Sequence, residues 1–134
     1  MVTTMKPDQG WKRPPSGWVK CNTDGAFYEV GWKGATGAVL RNENGVFIRG
    51  SAKWYENCLD SLTMEALACR DGLLLAQQAG VEHVWLESDC QELLKLWSAG
   101  KNQRSSVMTI TREIRELSCF RISNFCSLAE LVTK

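Results

Sequence analysis

Trp18-Val19-Lys20-Cys21-Asn22-Thr23-Asp24-Gly25-Ala26 alternates apolar and polar residues, reaches a carboxylate and then meets a glycine. Period-two alternation is the signature of a strand. In that strand Val19, Cys21 and Thr23 share one face, and Lys20, Asn22 and Asp24 share the other. Asp24 closes the strand, so the sheet holds its backbone while its side chain reaches open space.

Upstream, Pro7, Pro14 and Pro15 with Gly10 and Gly17 disfavour regular structure. Residues 1–17 therefore read as a flexible leader, and residues 18–134 as one domain. Lys12 and Arg13 fit a solvated linker. Downstream, the glycine-rich run from Gly31 to Gly37 leads into Ala38-Val39-Leu40-Arg41, a strand pattern. A phosphate-cradling loop opens a helix instead, so these glycines serve a hairpin. Asn42-Glu43-Asn44-Gly45 is a turn, because Asn-Gly supplies positive φ. Val46-Phe47-Ile48 returns as a third strand and completes an antiparallel meander.

Asp60 or Ser61 caps a helix that runs to about Ala79 and stops at Gly80. Leu62, Ala66, Cys69, Leu73 and Ala76 recur at helical spacing as its buried stripe. His83 to Asp89 forms the next strand, with Val84, Leu86 and Ser88 on one face and Trp85, Glu87 and Asp89 on the other. Strand, long helix, strand is the pattern of a parallel crossover. A short helix follows over Cys90–Trp97, and a longer one over Ser105–Leu117 with Val107, Ile110, Ile114 and Leu117 as its stripe. Arg112, Glu113, Arg115 and Glu116 read as its solvated face. Phe120 to Phe125 suggests a last strand, after which Leu128 to Val132 is too short for an independent helix.

A chain of 134 residues with 44% apolar content fits one domain with one core. A formal charge of +1 is a weak electrostatic footprint for nucleic acid, so any such binding rests on local patches. The six tryptophans read as core and rim packing. None of the six cysteines forms a CxxC pair and His83 is the one histidine, which argues against a zinc site. Free thiols at apolar positions act as small hydrophobes. Without a secretory signal pattern, the expectation is a reducing intracellular compartment, nucleus or cytoplasm. The longest apolar run, near Leu73–Ala76, is far too short to span a bilayer.

Three acidic residues stand apart. Asp24 and Asp89 each close a strand, and ligands gather at the carboxyl ends of parallel strands. Glu65 borders the buried stripe in the first turns of the long helix. Each has a plain structural account as well: Asp89 as an N-cap, Glu65 as a complement to the positive helix start. Together they can cage a divalent cation that acts on nucleic-acid phosphate.

The ordered pieces Pro15–Ala26, Gly37–Asn42, Glu65-Ala66-Leu67-Ala68 with Asp71-Gly72-Leu73, and Glu87-Ser88-Asp89-Cys90-Gln91 resemble the ribonuclease H fold superfamily, most closely plant retroelement-type ribonuclease H-like domains. The resemblance covers roughly residues 11 to 120. It implies an α/β fold with a five-stranded mixed sheet in the order 3-2-1-4-5, flanked by helices. It implies Asp24, Glu65 and Asp89 as catalytic, metal-binding carboxylates with two Mg²⁺ or Mn²⁺ ions, and an RNA–DNA hybrid as partner, cleaved in its RNA strand. Oxygen ligands suit such hard cations, and paired ions support in-line displacement at phosphate. Ser61 and Thr63, just ahead of Glu65, are candidate substrate contacts.

The chain departs from the family at its end. Members carry a closing helix with an Arg, an Asn and then an Asp or His as fourth ligand. Arg121 to Glu130 does not reproduce it, and Glu130 is the one acidic residue available there. The C-terminal helix is thus expected to be truncated or altered, with impaired activity. The alternative is a catalytically inactive, retroelement-derived nucleic-acid-binding domain. A third option, a resolvase or integrase core acting on DNA, suits the Glu65 context less well.

Overall fold

The computed structural model describes residues 11–93, 95, 105–122 and 128–133. Strands β1 (Val19–Tyr28), β2 (Lys33–Arg41) and β3 (Phe47–Tyr55) form the antiparallel meander, and β4 (His83–Ser88) lies parallel to β1. Helix α1 (Ser61–Gln78) makes the crossover, and α2 (Ser105–Leu117) packs against α1. Between β4 and α2, residues 91–93 and 95 are helical; Cys90 precedes them outside the helix, and residues 94, 96 and 97 of the expected Cys90–Trp97 helix lie outside the described residues.

The order 3-2-1-4 is as expected, but the place beside β4 is not filled by the fifth strand in sequence. The sheet has six strands in the order β3-β2-β1-β4-β6-β5, with β5 at Ser118–Ile122 and β6 at Leu128–Thr133. β6 pairs antiparallel with both β4 and β5. The link from Ile122 to Leu128 is short, which favours an antiparallel hairpin over a crossover. The sequence reading left Leu128–Val132 without a strand assignment, and that is why it assigned one strand too few. Where the family carries its closing helix, residues 128–133 are extended.

Both helices cover one face of the sheet. β2 alternates strictly, with Gly34, Thr36, Ala38 and Leu40 buried toward that face. Cys21, Leu40, Ala66, Cys69, Leu73, Val84, Leu86, Val107 and Ile114 make the core. The Asn42–Gly45 turn forms as read: the Asn42 side chain accepts from the backbone N–H of Asn44 and Val46 at 2.9 and 3.0 Å, and Gly45 takes φ +80°. Asp60 caps α1 by accepting from Thr63 N–H at 2.8 Å.

A buried carboxylate joins the layers. Asp71, 3% exposed, accepts from the Thr36 hydroxyl at 2.8 Å and the Tyr55 hydroxyl at 2.6 Å, and pairs with Arg70 at 3.2 Å. Burial together with Asp71 pushes the Tyr55 hydroxyl up to about 12. Arg70 also reaches Glu113 on α2 at 3.4 Å, so Glu113 is tied to α1 rather than only solvated.

The first turn of α1 touches β1 at Gly25. A Cβ there would stand 2.5 Å from the backbone carbon and oxygen of Met64 and 2.7 Å from the nitrogen of Glu65. Backbone cannot swing aside as a flexible side chain does, so only glycine fits. Gly25→Ala is expected to cost about 1–3 kcal/mol, the usual range for overpacking. Gly37→Ala, whose Cβ would meet nothing within 4 Å, is expected to stay within about 0.5 kcal/mol. Urea unfolding of the two variants beside the parent chain measures the difference.

Candidate active site

The parallel pairing of β1 with β4 runs in register from Val19↔Val84 to Thr23↔Ser88. Asp24 and Asp89 are therefore the next residues outward on two strands about 4.8 Å apart. Both are exposed, and both line a cleft of about 540 Å³ together with Asn22, Gly37, Val39, Gly50 and Glu87. This cleft opens on the sheet face opposite the helices.

Glu65 arrives from the other layer. The close approach at Gly25 lets the Glu65 Oε1 accept from the Gly25 backbone N–H at 3.0 Å. Its carboxyl is held above the ordinary value of 4.5, first by burial and then by the negative charges of Asp24 and Asp89, against the pull of the Gly25 hydrogen bond. The three carboxylates thus sense one another. Among the described residues, however, no three His, Cys, Asp or Glu side chains are drawn together as a ready metal-ligand group. The donor set suits a hard divalent cation all the same: oxygen ligands only, mutually repelling, and open to solvent at Asp24 and Asp89.

Of the two expected substrate contacts, Ser61 is exposed at the start of α1. Thr63 is 8% exposed, and its hydroxyl has no hydrogen-bond partner. Its position in the first turn of α1 faces the interior, so only Ser61 is open to a ligand. Glu130 lies in β6 opposite Trp85 in register. That is four residues short of Asp89, roughly 13 Å along the strand, so its backbone is remote from the carboxylate end.

Sequence reasoning missed how the polar side of β1 is built. Lys20 shares the polar face of β1 with Asn22 and Asp24, as read, yet it is fully buried there. Its Nζ donates to the backbone oxygen of Lys12 at 2.8 Å, pairs with Glu87 at 3.2 Å, and lies 5.0 Å from the Trp11 ring centre and 5.8 Å from that of Trp85. Burial lowers its pKa, while Glu87 opposes the shift. The Asn22 amide donates to the same Glu87 Oε1 at 2.6 Å. Glu87 thus enters the cleft as a carboxylate already held by two partners. The signal was present: Glu87 shares the strand face of Asp89, and Asn22 that of Asp24.

The profile of a family described as reverse transcriptase-like matches residues 22–125. No curated protein matches the chain by sequence. Among solved structures, ribonuclease H1 of the archaeon Halobacterium salinarum is similar with a TM-score of 0.67 at 20% identity, over 74% of this chain and 75% of that one. The N-terminal ribonuclease H domain of Rv2228c from Mycobacterium tuberculosis aligns with a TM-score of 0.66 at 14% identity, over 74% and 72% of the two chains. LC11-ribonuclease H1 in complex with an RNA/DNA hybrid aligns with a TM-score of 0.65 at 15% identity, over 73% and 74%. The antiparallel meander, the parallel β1–β4 pair and the helical crossover between β3 and β4 agree with these matches: the chain belongs to the reverse transcriptase-like family and has the ribonuclease H fold.

Proposed function

We propose that this protein is a metal-dependent endoribonuclease that cleaves the RNA strand of RNA–DNA hybrids. What supports the reading is that Asp24 and Asp89 directly follow the paired residues Thr23 and Ser88 of adjacent strands, and that the negative charges of both aspartates add to the burial that raises the Glu65 carboxyl. Asp24 and Asp89 are the residues that would hold divalent cations directly, and Glu65 would be the third ligand. The chemistry supplied by a bound pair of Mg²⁺ or Mn²⁺ ions is activation of water and stabilisation of the leaving oxygen. The Gly25 N–H fixes one oxygen of Glu65 and leaves its other oxygen for the site. Ser61 is exposed at the N-terminus of α1, which supports a role as donor to a phosphate oxygen. Nucleic acid is the partner, since a similar fold is seen with an RNA/DNA hybrid.

One observation favours a second reading, a nucleic-acid-binding domain that does not cut. Glu130, the one candidate for a fourth ligand, belongs to a strand position beside Trp85 and not beside Asp89.

Labelled hybrid incubated with Mg²⁺ or Mn²⁺ is expected to be cleaved in its RNA strand. Asp24→Asn is expected to lower the rate by more than about 100-fold, because outer-sphere changes alone cost 10–100-fold. Hybrid binding with no cleavage in either metal selects the second reading. Titration calorimetry with Mn²⁺ is expected to give binding that Asp24→Asn weakens.

Glu65→Gln makes an independent prediction. A raised carboxyl pKa means that the folded state favours the protonated form. Ionised Glu65 therefore costs stability above its folded pKa, and the cost vanishes as pH falls below the ordinary carboxylate range. Without divalent cations, Glu65→Gln is expected to melt higher than the parent chain at pH 7 and at the same temperature near pH 4, while losing cleavage. Melting curves at the two pH values read this directly, and an unchanged melting temperature at pH 7 counts against it.

A further inference from the structure

We infer that the Tyr28–Trp54 pair is a stacking platform for unpaired bases of a single strand leaving the hybrid, an inference that rests on the function proposed above. Tyr28 ends β1 and Trp54 lies near the end of β3, 50% and 58% exposed. Their rings stack, with centres 5.7 Å apart and planes 27° apart.

The pairing register puts them on the face that carries the cleft. Asp24 pairs with Gly37 and Gly37 with Ala52; two residues outward, Ala26 pairs with Ala35 and Ala35 with Trp54. Two residues further, Tyr28 pairs with Lys33. Between the carboxylates and the aromatic pair the sheet surface is thus made of Ala26, Ala35, Gly37 and Ala52. Nothing larger than a methyl group stands on it, so a sugar-phosphate chain can lie close to the backbone. Four residues of strand separate Asp24 from Tyr28, about 13 Å, which is the length of about four stacked nucleotides.

Two further features suit a base rather than a greasy partner. The Trp54 indole N–H donates to Glu56 at 3.1 Å, so the ring is held in place. Lys33 is exposed and directly opposite Tyr28 in register, where its ammonium can meet a phosphate beside a stacked base. Glu29 and Glu56 flank the pair, so stacking rather than charge supplies the affinity, and salt should affect it little.

Binding is measured by fluorescence anisotropy with the full chain carrying Asp24→Asn, so that no strand is cut. The probes are a blunt RNA–DNA hybrid, the same hybrid with a single-stranded extension of about eight thymidines, and the extension alone. The extended hybrid is expected to bind roughly 5- to 150-fold tighter than the blunt one, the range for one stacked base. Trp54→Ala and Tyr28→Ala are each expected to remove that gain at both low and moderate salt and to leave blunt-hybrid affinity unchanged, while Trp54→Phe keeps most of it. No gain from the extension, or a gain that survives Trp54→Ala, overturns the platform. Self-association in sedimentation that Trp54→Ala abolishes overturns it too, because a second copy then covers the pair. If the blunt hybrid fails to bind while the thymidine strand binds and quenches Trp54 fluorescence, the platform stands and the hybrid-cleavage reading falls. If neither binds, both fall.

Discussion

The contact between the start of α1 and β1 at Gly25 governs the layout of this protein. A helix packed on a sheet is normally kept away by side chains on both surfaces. Here the absence of one Cβ lets the backbone of Met64 and Glu65 reach van der Waals range of the strand. The same approach brings the Glu65 carboxylate to the Gly25 N–H and within electrostatic range of Asp24 and Asp89. Stability and site therefore depend on one close approach. The Asp60 cap and the Asp71 network hold α1 at the position that this approach requires.

The two sheet faces divide the work. The helix-bearing face buries Cys21, Leu40, Val84 and Leu86 and supplies the apolar burial that stabilises the fold. The other face carries Lys20, Asn22, Asp24, Glu87 and Asp89 in two adjacent strands. Along it the character changes from a buried lysine between two indoles, to a hydrogen-bonded carboxylate, to exposed carboxylates. Burying Lys20 is tolerable because its ammonium has a carboxylate, a backbone carbonyl and two aromatic rings as partners. That arrangement pairs Glu87 with a cation, whereas Glu65 faces the negative charges of Asp24 and Asp89.

Repulsion of that kind is costly to a folded chain and useful to a cation site. The raised pKa of Glu65 comes first from burial, and the charges of Asp24 and Asp89 add to it. A cation held there, as proposed, would offset that charge and so link the proposed chemistry to the energetics of the fold.

By itself, the sequence determined the alternation of β1, the Asn42–Gly45 turn, the cap and stop of α1, and the apolar stripe of α2, because each depends on neighbours within a few residues. It also marked Asp89 as the residue that follows β4, a local feature; Asp24, expected to close its strand, instead lies inside β1, because pairing with β2 carries that strand on to Tyr28. The tertiary structure alone decided what depends on partners distant in the chain. Lys20 is buried because Trp11, Trp85 and Glu87 meet around it, and no periodicity announces that. β6 lies beside β4 because a short link pairs it with β5, so strand order did not follow from strand count. Thr63 is buried while Ser61 is exposed because the first turn of α1 packs on the sheet beside Gly25, a contact between residues far apart in the chain.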